Sequence, residues 1–162
     1  MNYFVTGLPR SRTAWFSEWL PDCLHEGVEG CYTHREYIKK LGSKGDSNSS
    51  LMFFPIERYF PDAPVLIVER DFDEVMASLE KLGLFNDNVY EFMKESQKRL
   101  NSMKGMRVPF FDLPLQDIWE YLIGTEYDKQ EAVRMDGIMI QRVNYNPDFQ
   151  AFKSFIGEAQ WL

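Results

Sequence analysis

Cysteine and histidine are scarce in this chain, two of each among 162 residues. That is too few for a disulfide framework, and the spacing of Cys23 and Cys31 matches no metal motif. Even the C-x-H element Cys23–His25 supplies fewer ligands than a structural zinc needs, so free thiols and no metal are expected. Basic residues are outnumbered as well, 18 Lys and Arg against 25 Asp and Glu, for a net charge of −7. A general nucleic-acid surface needs the opposite balance, because its affinity comes from phosphate neutralisation and counterion release. No apolar run approaches the roughly 20 residues of a membrane span, and no basic-then-apolar leader precedes the first apolar run. The expectation is a cytoplasmic protein with neither nucleic acid nor membrane as partner. Internal repeats and linkers are also missing.

What remains is ample material for a core. Hydrophobic residues make up 44% of the chain and aromatics 15%, which at this length reads as a single domain over residues 1–162. Apolar runs alternate between strand and helix spacing, so the expected fold class is α/β, a three-layer sandwich with a mostly parallel sheet. Charge is uneven: residues 1–70 hold 8 basic and 9 acidic side chains, the remainder 10 and 16.

Residues 4–15, F-V-T-G-L-P-R-S-R-T-A-W, are the most informative stretch. Tyr3, Phe4 and Val5 read as a short buried strand, Gly7 and Pro9 as a turn, and Thr13 onward as a helix carrying Trp15, Phe16 and Trp19. A helix start presents unpaired N–H groups that favour an anion. Arg10 and Arg12 add guanidinium groups suited to phosphate, and Ser11 and Thr13 add hydroxyl donors. The competing reading is an ordinary Ser or Thr helix cap with two solvated arginines.

A Walker loop, G-x-x-x-x-G-K-[S/T], does not fit: counted from Gly7, Arg12 stands at its second glycine and Thr13 at its lysine. The segment instead resembles the 5′-phosphosulfate loop of the sulfotransferase family, approximately x-P-[K/R]-S-G-T-T-x. Pro9, Arg10, Ser11 and Thr13 match, while Arg12 replaces the glycine and Ala14 the second threonine. A glycine there lets backbone approach phosphate closely.

A second motif supports the resemblance. Pro61-Asp62 begin a turn, Val65–Val68 read as a strand closed by Arg70, and Asp71 or Asp73 starts a helix with Val75, Met76, Leu79 and Leu82 at helical spacing. This is similar to the family's 3′-phosphate site, an arginine in R-D-P followed eight positions later by a serine. Arg70 and Ser78 have that separation, with Phe72 in place of the proline. Without the resemblance, Arg70 reads as a surface ion pair and Ser78 as an exposed helix serine. The segment G-D-S-N-S-S-L at 45–51 is similar to the family's G-[D/E]-K-[S/T]-P stretch.

The resemblance implies a P-loop NTPase-like sulfotransferase fold and the cofactor 3′-phosphoadenosine-5′-phosphosulfate, leaving 3′,5′-adenosine bisphosphate as product. It places Arg10, Ser11, Arg12, Thr13, Ala14, Trp15, Arg70 and Ser78 at the cofactor. Arg10 would stabilise charge on the leaving oxygen, and Trp15 would stack on adenine unless it is a core residue. The family's base, a His or Glu near the end of the second strand, maps onto His25 or Glu26. As strand neighbours these should point to opposite faces, so that only one faces the site. Gly27 would open room for an acceptor beside Glu26; Glu29 and His34 are reserves. The family's C-terminal R-K-G-x-x-G segment has no counterpart.

The remaining chain reads as a second strand over 21–26, a polar helix over 32–41, and a loop over 42–50. A helix over 86–103 carries a Met-aromatic stripe suited to the core. A strand over 107–111 follows, then a helix from Pro114 to Gly124. Segments 27–50 and 83–105 would form the acceptor pocket. The expected activity is sulfuryl transfer to a small hydroxyl or amine acceptor. The alternatives are a non-catalytic nucleotide-binding module and, less favoured, a nucleotide-dependent phosphotransferase.

Overall fold

A computed structural model of the chain describes residues 1–140 and 148–159. Strand β1 (Phe4–Gly7) leads into helix α1 (Thr13–Trp19), β2 (Cys23–His25), α2 (His34–Leu41) and β3 (Gly45–Ser47). A 3-10 turn (Leu51–Phe53) and α3 (Ile56–Tyr59) then carry the chain to β4 (Val65–Glu69). Helices α4 (Phe72–Lys81) and α5 (Asp87–Ser102) precede β5 (Met106–Pro109), and α6 (Leu115–Leu122), α7 (Lys129–Asp136) and α8 (Phe149–Ala159) follow it. The five strands form one sheet in the order β2-β3-β1-β4-β5, and every pairing is parallel. The fold is α/β, as the alternating pattern predicts.

Period-two alternation divides the core. Phe4 of β1 and Val65 and Ile67 of β4 face one cluster, with Tyr37 of α2, Val75 and Leu79 of α4, Met93 of α5 and Phe155 of α8. Val5, Leu66 and Val68 face the other, with Trp15, Phe16 and Trp19 of α1, Ile118 of α6 and Met135 of α7. The sheet is therefore covered on both faces, as a parallel sheet requires. Among the described residues no helix is long and apolar enough to cross a membrane.

Several helix starts follow from local chemistry. Thr33 and Glu36 form a reciprocal capping box, so α2 begins at His34 rather than at Tyr32. Asp71, not Asp73, caps α4 by accepting from the Glu74 N–H at 3.0 Å.

The segment expected as a loop at 42–50 contains β3. Gly-Asp-Ser carries little strand propensity, and the strand exists because its neighbours demand it. Asp46 N–H donates to Tyr3 O at 3.1 Å, and Asn48 N–H to Val5 O at 2.9 Å. The Tyr3 ring lies where a side chain at position 45 would stand, since a Cβ on Gly45 would meet it at 2.2 Å. The second strand is shorter than expected: Asp22 (φ 47°) and Glu26 (φ 51°) adopt left-handed backbone and bracket it.

Candidate functional site

The strand order creates the site. The chain leaves β1 through α1 on one face, whereas β3 and β4, on either side of β1, lead to α3 and α4 on the other. Parallel sheets bind ligands at such a reversal, beyond the carboxyl ends of the strands. A cleft of about 780 Å³ opens there. Pro9, Arg10, Arg12 and Thr13 line it from the loop after β1, His25 and Glu26 from the end of β2, Ser49 and Ser50 from the end of β3, and Arg70 from the end of β4.

The loop after β1 is held close to the sheet. A Cβ on Gly7 would lie 2.7 Å from Val68 O and 3.0 Å from the Ser11 Cβ, so only glycine fits. Arg10 (φ 69°) and Arg12 (φ 67°) both adopt left-handed backbone. Arg12 thus takes, at the position where the resembling pattern has glycine, the conformation glycine adopts most easily. Its guanidinium carbon lies 5.2 Å from the Phe110 ring centroid and 5.9 Å from that of Trp15. Ser11 does not line the cleft: it is fully buried, and its hydroxyl has no hydrogen-bond partner among the described residues.

The two phosphate-type motifs, far apart in sequence, touch. Arg10 Nε donates to Ser78 Oγ at 3.2 Å, and Arg70 Nη1 donates to the Arg10 carbonyl at 2.5 Å. Arg70 also stacks over Phe110, 4.2 Å from its centroid, so one ring carries two guanidinium groups. Among the described residues the carboxylate paired with this cluster is Glu74, 3.7 Å from Arg70 Nε and half exposed. That nitrogen is buried without a hydrogen bond among the described residues. Three arginines are gathered this way on one side of a cleft whose other walls carry Glu26, Glu29, Asp136 and Asp148.

Beside it stands a carboxyl group. Glu26 accepts from Ser49 N–H at 3.0 Å, from the Ser49 hydroxyl at 3.2 Å and from the Thr13 hydroxyl at 3.3 Å. Burial pushes its pKa up to about 7, against the stabilising Ser49 hydrogen bonds and with help from the negative Asp46. His25 is lowered by burial, with Glu29 opposing, and its Nε2 is 4.0 Å from Glu26 Oε1.

The expectation that only one of His25 and Glu26 faces the site is wrong: both line the cleft. The left-handed turn at Glu26 ends the strand and with it the alternation of faces. Gly27 does not open acceptor space either. A Cβ there would lie 2.7 Å from Asp46 Oδ2, so the carboxylate of Asp46 fills the room. His34 lies away from the cleft, buried edge-on against Phe54 and Phe155, whereas Glu29 lines it. Trp15 lines it too, but is only 3% exposed and donates its indole N–H to Met135 O at 2.7 Å. Ala14 lies buried on the same wall.

The cleft has two apolar arms, one on each face of the sheet. Trp15, Phe110 and Ile140 belong to one core, and Val28, Leu79, Leu84, Val89, Met93 and Phe152 to the other. The second arm draws on both segments expected to form an acceptor pocket, 27–50 and 83–105. Sequence reasoning missed Phe110, Ser49, Asp46 and the walls from 136–140 and 148–152. The G-D-S-N-S-S run held two of these, read there as a loop resemblance rather than as the grip on Glu26.

No protein-family model, curated protein or solved structure matches the chain. Its chemistry is therefore read from its own residues.

Proposed function

We propose that this chain is a short sulfotransferase-like enzyme of P-loop-like fold. It would move a sulfuryl group from 3′-phosphoadenosine-5′-phosphosulfate to a small hydroxyl or amine acceptor. The observation that carries the reading is the contact between the two motifs: Arg10 bonded to Ser78, and Arg70 bonded to the Arg10 carbonyl. A single anion loop serves any phosphate. Two anion motifs meeting at one strand edge serve a ligand phosphorylated at two places. Arg70 Nε, buried beside Glu74 at 3.7 Å but without a hydrogen bond among the described residues, fits such a ligand, because a buried donor is costly to leave unsatisfied and an anionic oxygen satisfies it.

When bound, the donor supplies the sulfuryl group and a phosphate leaving group. Arg12 and Thr13 bind the 5′ side, and Arg70 with Ser78 the 3′-phosphate. Arg10, between them, neutralises charge developing on the leaving oxygen. Glu26 takes the proton from the acceptor, since a carboxyl titrating near neutrality combines availability with basicity. Its bond to Thr13 ties the base to the first residue of α1. The arm lined by Val28, Leu84 and Met93 receives the acceptor body, and the arm at Trp15 and Phe110 the nucleoside.

Thermal unfolding with 3′,5′-adenosine bisphosphate and with ATP plus magnesium tests the reading. At a hundredfold excess over Kd the bisphosphate should add about 3 kcal/mol, raising Tm by about 6–12 °C. Stabilisation by ATP and not by the bisphosphate would sink the proposal. Labelled sulfuryl transfer to an acceptor panel, lost in Arg10→Ala, then separates an enzyme from a module that only binds.

A further inference from the structure

Asp46 has entered so far only as a negative charge near Glu26, yet it is itself a buried carboxylate held by three donors. It is fully buried on β3 and accepts from Tyr37 OH at 2.7 Å, Asn48 Nδ2 at 3.0 Å and Gly27 N–H at 3.0 Å. Gly27 follows Glu26 directly, and Asn48 precedes Ser49, whose N–H and hydroxyl hold the Glu26 carboxylate. One side chain therefore fixes both the turn that presents Glu26 and the turn that grips it. The fit is close enough to exclude a side chain at Gly27. A buried charge is expensive and persists only where its donors are in place. All three partners are donors and they use both carboxylate oxygens, a pattern that an asparagine, with one oxygen and an NH2 group, cannot reproduce.

We propose that Asp46 is the positioning residue for Glu26, fixing the two turns that hold its carboxylate beside Thr13 and setting a negative charge close to it; this rests on the sulfotransferase reading of Glu26. The charge acts through the protein on a group already poorly solvated. His25, Glu29, Arg10 and Arg12 also line the cleft around Glu26. Around Asp46 the ionisable groups are Tyr37, Cys23, Cys31 and Lys40. Asp46→Asn keeps the size and removes the charge, and it also turns an NH2 group toward Gly27 N–H or Asn48 Nδ2, loosening one of the two turns.

The test combines steady-state sulfuryl transfer, bisphosphate affinity and carbon-13 NMR titration of the Glu26 carboxyl in the ligand-free protein. In Asp46→Asn, kcat should fall about ten- to a hundredfold, the range for a displaced and weakened base, with bisphosphate affinity within about twofold of wild type. The acid limb of the kcat profile and the Glu26 titration should both move to lower pH, because a repelling charge has gone. An unmoved Glu26 titration, or a fall in kcat matched by a fall in bisphosphate affinity, overturns the proposal. If Asp46→Asn does not fold, Tyr37→Phe removes one donor and keeps the ring. It should lower kcat several-fold at unchanged bisphosphate affinity, and an unchanged kcat overturns the proposal. A shifted Glu26 titration in a protein that sulfates no acceptor sinks the sulfotransferase reading and leaves the pairing of Asp46 with Glu26 standing.

Discussion

Replacing Glu26 by glutamine should change how stability depends on pH, and by an amount the structure sets. Burial raises the Glu26 carboxyl from its ordinary 4.5 to about 7, whereas the unfolded chain returns it to 4.5. Between those values the folded protein holds a proton that the unfolded chain has released, so stability falls as pH rises. At about 1.4 kcal/mol per pH unit, the loss across the window is about 3 kcal/mol, complete above pH 7 and absent below 4.5. Glutamine keeps the shape and an oxygen acceptor for Ser49, and it does not titrate. Urea unfolding of wild type and Glu26→Gln at pH 4 and pH 8 reads this contribution together with the response of Asp46, whose carboxyl burial raises to about 6 and which feels the charge on Glu26. The gap between variant and wild type should shift in favour of the variant by about 3 kcal/mol from pH 4 to pH 8, equivalent to about 6–12 °C in Tm for a chain of this size. Parallel curves would mean that Glu26 titrates as an ordinary surface carboxylate, and the argument for it as base would lose its footing.

Other perturbations probe the frame of the site. Gly7→Ala puts a methyl group 2.7 Å from Val68 O and should cost about 1–3 kcal/mol in denaturant unfolding, with weakened bisphosphate binding, because the loop must lift off the sheet. Arg70→Ala removes charge-assisted bonds worth about 1.5–3 kcal/mol, so calorimetry should find bisphosphate affinity reduced about ten- to a hundredfold; unchanged affinity would contradict the 3′-phosphate role. Phe155→Ala empties a fully buried site packed on His34, Tyr37 and Phe54 and should cost about 3–5 kcal/mol in the same unfolding measurement.

Much of this frame was legible in the sequence. Strand β1, the loop, α1 and the β4–α4 unit each carry a strong local signal: apolar alternation, a Gly-Pro turn, an Asp cap. Strand β3 carried none, because Gly45, Asp46 and Ser47 become a strand only through Tyr3 and Val5 of the neighbouring chain segment. Glu26 and His25 were legible as candidates but not as a pair, since a left-handed non-glycine residue leaves no mark in a single sequence. Phe110 was invisible as a platform for Arg70 and Arg12, because its partners lie 40 and 98 positions away. The α8 wall was equally hidden, as its contacts depend on the whole fold.

The sheet separates two cores, and the cleft takes one apolar arm from each. Side chains of the arm at Leu84, Val89 and Phe152 can be exchanged without touching the packing behind Trp15 and Phe110. Changes more than about 7–10 Å apart with no shared partner usually add independently. The two apolar halves of the cleft are thus separable parts: the side chains of one can be redesigned, or drift, while the other keeps its shape.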